Sequence, residues 1–250
     1  MAGHSKWAGI KHKKAIIDAK RGKLWTKLLR EVTVAARLGG GDPTGNPRLR
    51  SAIQDARGAN CPNDNIDRAI KKGTGELEGA EYVEVTYEGY GPGGVAILVE
   101  TMTDNRNRTV AEIRHLFSKN AGNLGESGCV AWMFDRRGLF AIAREGLDED
   151  AFMELAMELE ADDFSTDGES YEMFSSVEDY IRIREQLEDR SVQLEVKQLA
   201  MIPQSTVRIE DEKQASQLVR LLEALEDHDD VQSVWANFDI DDSLLAQAAG

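Results

Sequence analysis

The side chains with the density to do chemistry in this chain are cations, and they crowd one end. Lys6, Lys11, Lys13, Lys14, Lys20, Arg21, Lys23, Lys27 and Arg30 all precede residue 31. Lysine and arginine packed this closely displace condensed counterions from a polyphosphate, giving affinity that is sequence-independent and salt-sensitive. With about six phosphate contacts, such binding weakens roughly a thousandfold between 50 and 200 mM salt. On a helical wheel Lys23, Lys27, Arg30 and Arg37 fall within an arc of about 80°. Through Gly75 the chain holds 16 Lys+Arg against 6 Asp+Glu, a net of +10. The other 14 of the 30 bases and 39 of the 45 acids lie beyond it, a net of −25, which together make the chain's −15.

Three readings of this head compete. It is a polyphosphate-binding surface, an ordinary solvated face, or a cationic module that docks on its own acidic body. The net excess favours the first, because a solvated face mixes its signs. Trp7 is placed to stack on a base or to serve as a staple, and Trp25 to fill a core.

A second cluster is Asp104-Asn105-Arg106-Asn107-Arg108-Thr109. Asn105, Arg106 and Arg108 at a strand-to-helix junction make a candidate anion or partner contact. An elaborate helix cap with its own hydrogen bonds is the equal alternative.

Other chemistry fails on pattern. Gly89-Tyr90-Gly91-Pro92-Gly93-Gly94 lacks the helix that a phosphate loop must precede, so it reads as a hairpin. Gly125-Glu126-Ser127-Gly128 has its second glycine one position early for a nucleophile elbow. His4, His12, His115 and His228 are scattered, and Cys61 and Cys129 have no metal-ligand spacing. The acidic runs Asp148-Glu149-Asp150 and Asp227–Asp230 read as caps and turns, with a carboxylate metal site as the weaker alternative. No catalysis, metal or cofactor is expected.

These residues need elements to hold them. Helical spacing covers Lys23–Leu38, a helix entered through Asn46-Pro47 and ended by Gly58, and a short helix from Pro62 to just before Gly73. Strands at Val83–Tyr90 and Val95–Thr103 form a hairpin, followed by a helix capped at Asp104-Asn105 and a strand at Cys129–Phe134. From Gly138 the order is β-α-β-β-α-β, ferredoxin-like, ending at Val192–Met201. A last β-α-β segment, with strands at Thr206–Ile209 and Val231–Phe238, completes the earlier sheet. The expected class is therefore α+β and multidomain. Residues 1–75 form a basic helical domain, 76–135 with 204–240 a discontinuous α+β domain, 136–203 an inserted ferredoxin-like domain, and 241–250 a tail.

With 41% hydrophobic and 30% charged residues the chain is an ordinary globular one. No apolar run approaches the ~18 residues that span a bilayer. Met1–Trp7 has no apolar signal region, so a reduced, cytoplasmic protein without membrane partners is expected.

Several blocks resemble the YebC family: Met1-Ala2-Gly3-His4-Ser5-Lys6-Trp7, Asp18–Lys23, Gly39–Pro43, Asn46–Arg50, Tyr87–Gly94, Thr103–Thr109 and Gly122–Gly125. The resemblance runs to about Asp239, departing at Cys129, where many members carry serine. It implies a helical domain and two α+β domains, the third inserted in the second. It also implies a non-enzymatic, DNA-binding transcriptional regulator. Some members act instead in translation, as mitochondrial activators or as bacterial factors that assist ribosomes through proline-rich stretches, so rRNA or the ribosome is the rival partner. It carries over no contact residues.

Overall fold

The computed structural model describes residues 18–248. Three helices come first: α1 (Asp18–Gly39), α2 (Pro47–Gly58) and α3 (Asn63–Thr74). Their apolar stripes meet in one core, with Val32, Ala35 and Ala36 against Leu49, Ala52, Ala56, Ile66 and Ala69. Trp25 packs on this core and donates its indole N–H to the Ala59 carbonyl at 2.9 Å. Asn46 fastens the α1–α2 corner. Its side-chain oxygen accepts the Leu49 N–H as the cap of α2, and its amide donates to the Ala35 and Gly40 carbonyls. Pro47 follows, at a position with no helical N–H to lose.

The sequence predicts an end to α3 before Gly73, but the helix runs to Thr74 and closes on Gly75 at φ 83°. Gly73 is spent on contact instead. A Cβ there would press into the Thr33 carbonyl and lie 2.7 Å from Ala36 Cβ, so only glycine lets α3 cross α1 this closely.

Next come β1 (Val83–Tyr90), β2 (Ala96–Thr103), α4 (Arg106–Lys119) and β3 (Asn123–Leu124). Then follow β4 (Phe134–Ala143), α5 (Glu149–Glu158), β5 (Asp163–Ser165), β6 (Ser170–Ser175), α6 (Tyr180–Asp189) and β7 (Leu194–Pro203). The chain ends in β8 (Val207–Ile209), α7 (Glu212–Glu226), β9 (Val231–Ala236), β10 (Phe238–Ile240) and α8 (Asp242–Ala248). The first sheet has the order β3-β1-β2-β9, so its fourth strand arrives about 130 residues after its second. The hairpin register sets Tyr87 opposite Val99, and Gly93 in its Pro92–Gly94 turn takes φ 73°, where a Cβ would also strike Ile209. The second sheet, β5-β6-β4-β7, is antiparallel throughout and has the ferredoxin-like order.

α4 and α7 lie on one face of the first sheet, burying Ile97, Val99, Ile113, Phe117, Leu218 and Leu222. Its other face carries Ala96, Leu98 and Trp235 onto Leu139 and Ala200 of the second sheet. The two sheets thus share a core. Among the described residues no helix is long and apolar enough to cross a membrane.

Three local expectations are corrected. Cys129–Phe134 is not a strand: residues 131–133 form a 3-10 turn and β4 begins at Phe134. The buried Glu88 carboxylate draws the amides of Gly128, Val130 and Ala131 away from any ladder. The strand expected over Val231–Phe238 breaks at Asn237, whose side chain accepts the Ala96 N–H and donates to the Ser205 carbonyl, turning β10 onto β8. Residues 242–248, expected as tail, form α8 and bury Leu245.

Candidate nucleic-acid interface

Lys6, Lys11, Lys13 and Lys14 lie outside the described residues, as do the side chains of Lys20 and Arg21. The other three candidates on α1 turn inward. Lys23 donates to the Asp227 carbonyl at 3.0 Å and Lys27 to the Glu226 carbonyl at 2.6 Å. Arg30 reaches the Asp229 carbonyl at 2.6 Å, the Met102 carbonyl at 3.2 Å and Asp230 Oδ1 at 2.9 Å. The Glu226 and Asp227 carbonyls lie at the C-terminal end of α7, where the helix dipole and unpaired oxygens attract cations, whereas the Met102 carbonyl belongs to β2. For these three residues, then, the arrangement is the docking of a cationic head on an acidic body.

Asp230 is the centre of the dock. It is 2% exposed, and its second oxygen accepts from Arg108 Nη2 and from Thr109 Oγ1, each at 2.7 Å. Burial alone would push its carboxyl up. The hydrogen bonds from Arg108 and Thr109, with the charges of Arg30 and Arg108, outweigh that and hold it below the usual carboxylate range. Tyr82 covers Arg30 at 5.0 Å from the ring centre, a cation–π contact that completes the enclosure.

The polar junction feeds this centre. Asn105 caps α4 by accepting the Arg108 N–H at 3.1 Å, and Arg108 bridges Asp104 and Asp230. Asn105 and Arg108 therefore perform the capping role. Arg106 is exposed, and among the described residues its guanidinium has no hydrogen-bond partner.

The head is also fastened to the ferredoxin-like unit. Arg184, 2% exposed, reaches Asp55 of α2 at 2.6 Å, and Arg50 pairs with Glu185 at 3.1 Å. Arg48 joins Glu31 of its own unit to Glu84 of β1. What the head leaves outward is Arg37, Arg57, Arg68, Lys71 and Lys72. All five are exposed, and none has a carboxylate partner among the described residues.

The contacts of the site are ion pairs and charge-assisted hydrogen bonds. Glu112, His228 and Asp230 approach one another closely enough to suggest a cation site. The hydrogen bonds argue otherwise: His228 Nδ1 accepts the Asp230 N–H, which leaves its proton on Nε2, facing Glu112 at 2.8 Å. A cavity between Arg37, Lys72, Glu78 and Tyr82 does not touch Asn105–Arg108. Burial raises the Cys129 thiol, and the neighbouring Glu88 charge raises it further, so it is a poor nucleophile.

Asp230 and Glu88 were hidden in the sequence. Asp230 sits in a run that reads as a solvated turn. Glu88 falls in step with Glu84 and Thr86 on the polar face of an alternating strand, so its spacing reads as solvent-facing, although it is buried.

The model of the TACO1/YebC protein N-terminal domain matches residues 5–76, and that of the TACO1/YebC second and third domain matches residues 82–238. A "Probable transcriptional regulatory protein" of Natranaerobius thermophilus is 59% identical over 248 residues, covering 98% of this chain and 99% of its own. One of the same name from Syntrophobacter fumaroxidans is 54% identical over 249 residues, covering 100% of both. The crystal structure of a conserved hypothetical protein from Aquifex aeolicus superimposes with a TM-score of 0.86 at 51% identity, covering 93% of this chain and 96% of that one.

Proposed function

This chain belongs to the TACO1/YebC family, and from that premise we propose that it is a non-enzymatic, cytoplasmic DNA-binding protein that regulates transcription. The relatives' names support the regulatory part. The observation that carries the DNA-binding part is the head itself, with 16 bases against 6 acids on a chain of net charge −15. Residues 1–75 are the nucleic-acid module. Residues 76–135 with 204–240, and the inserted 136–203, are acidic domains that orient it and repel misplaced strands. Lys6, Lys11, Lys13, Lys14, Lys20 and Arg21 grip phosphates in the docked form. Lys23, Lys27 and Arg30 join them only where the dock on α7 loosens. Replacing Lys13, Lys14, Lys20 and Arg21 with alanine should weaken DNA binding and flatten its salt slope. Unchanged affinity with an intact fold would sink the assignment.

One observation favours a second reading, an rRNA- or ribosome-associated translation factor. Lys23, Lys27 and Arg30 of the α1 stripe face the body, leaving Arg37 alone of the four outward, so the docked α1 is not offered as a recognition helix for a major groove. Backbone contact without base readout suits folded RNA equally well. Sedimentation with ribosomes beside a DNA shift assay at equal salt separates the two. Ribosome association without specific DNA binding selects the second.

A further inference from the structure

Outside the head, α4 departs from the acidity of the body. It carries Arg106, Arg108, Arg114 and Lys119 against Glu112 alone, with His115 beside Arg114, in a stretch of net charge −25. Its one acid is occupied by His228 and its one paired arginine by Asp104 and Asp230. Arg106, Arg114, His115 and Lys119 are exposed and have no carboxylate partner among the described residues. Acids outnumber bases almost three to one in this stretch, and Arg136, Arg137, Arg144, Lys213 and Arg220 likewise hold no carboxylate among the described residues; α4 differs in gathering Arg106, Arg114 and Lys119, with His115, on one helix. Arg182, Arg184, Arg190, Lys197 and Arg208 of the same body each hold a carboxylate.

The placement is ordered. At about 100° per residue, Asn107, Ala111 and Ser118 share the middle of the solvent face, opposite the buried Thr109, Ile113 and Phe117. Arg114 flanks that middle on one side, His115 and Lys119 on the other. Short neutral side chains between long cations let a polyanion approach closely. α4 also begins at the dock, since Arg108 and Arg30 share Asp230, and it runs about 20 Å away from it. That length matches about six base pairs of duplex axis.

We propose that the solvent face of α4 is a second phosphate-contacting surface, which carries the backbone of a nucleic acid held by the head across the acidic body. The inference rests on the nucleic-acid reading above. The contacts add affinity and orientation but no sequence choice.

The test compares R114A/H115A/K119A with wild type and with the head variant K13A/K14A/K20A/R21A. Binding to a labelled DNA duplex, and to an RNA helix of equal length, is followed by anisotropy from 50 to 200 mM salt. R114Q/K119Q, which preserves side-chain bulk, guards against a folding defect, and circular dichroism reports the fold. The α4 variants should keep the wild-type melt, lose about tenfold in affinity at low salt, and reduce the log–log salt slope by about two. Loss on DNA, RNA or both supports the surface and tells which polymer crosses it. Wild-type affinity and slope in the α4 variants, with binding lost in the head variant, would overturn the surface and leave the reading of the head standing. If wild type binds neither polymer, the nucleic-acid reading falls and takes this surface with it.

Discussion

Arg30 of the head donates to Asp230 of the body at 2.9 Å across 200 residues of sequence, and the accepting side chain is only 3% exposed. One acid thereby ties α1 to the first turn of α4, because its other oxygen holds Arg108 and Thr109. A buried acid with several donors is costly to remove: Arg30 loses its carboxylate partner, and Arg108 is left with the exposed Asp104 alone. Asp230→Ala should therefore lower unfolding stability by roughly 2–3 kcal/mol, read from urea midpoints, and should speed proteolysis between α3 and β1. An unchanged midpoint would show that the carbonyls at the end of α7, with the Arg184–Asp55, Arg50–Glu185 and Arg48–Glu84 pairs, hold the head without Asp230.

The dock should also be lost in acid. The Asp230 carboxyl lies below its ordinary value despite burial, because Arg108, Thr109 and Arg30 stabilise its charge. A depressed folded value means the unfolded chain takes up protons first. The stabilisation is thus complete above about pH 4 and fades as pH falls through the folded value. Glu88 has the same sign, its three backbone donors outweighing its burial. Wild-type stability should fall steeply below pH 4, whereas Asp230→Asn, already lacking the charge, should show a shallower slope.

Lys23 and Lys27 should behave differently from the cations around them. Their amino groups end on the Asp227 and Glu226 carbonyls, both at the end of α7. Lys23→Ala with Lys27→Ala should loosen the head without much altering the salt slope of nucleic-acid binding. Lys20→Ala with Arg21→Ala should reduce that slope by about two. Hydrogen exchange at residues 226–230, measured beside the binding isotherms, distinguishes the two effects. Equal slope losses in both pairs would mean that the dock opens whenever nucleic acid binds.

Local chemistry was legible in the sequence, and tertiary pairing was not. Asn46-Pro47 announces its helix start because cap and proline act within four residues. Gly91–Gly94 announces a hairpin, and the β-α-β-β-α-β order announces the second sheet. Even the fourth strand of the first sheet was inferable, since a lone β-α-β segment must complete something. The direction of Lys23, Lys27 and Arg30 was not readable, because a cationic stripe looks alike facing phosphate or facing carbonyls. Asp230 was unreadable for a related reason: an acid is buried only where donors some 120 to 200 residues away converge on it.

Glu88 organises the loop before β4. Its oxygens accept from the amides of Gly128 at 2.6 Å, Val130 at 2.8 Å and Ala131 at 2.8 Å. Glu88→Ala strands three donors in a partly buried loop, where each unmade bond costs about 1 kcal/mol or more. Those three amides should lose exchange protection, and the tryptophan emission of Trp132, which leans on the Cys129 carbonyl, should shift. Glu88→Gln, still an acceptor through one oxygen, should recover part of the protection. Full protection in Glu88→Ala would assign the loop to packing of Val130 alone.

Among the described glycines of the head, Gly73 on α3 has the least room for a side chain. A methyl group there would meet the Thr33 carbonyl and Ala36 Cβ, both on α1, and neither can rotate away. Gly73→Ala gains helix propensity of about 1 kcal/mol in an unconstrained helix. Here the clash should dominate and give a net loss of roughly 1–3 kcal/mol, the usual cost of overpacking. Because α1 carries the docking cations, separating α1 from α3 also tilts Arg30 away from Asp230. The variant should therefore lower the melting temperature and increase exchange at residues 226–230, some 150 residues from the substitution. A lower melting temperature with wild-type exchange there would show that the dock tolerates movement of α1.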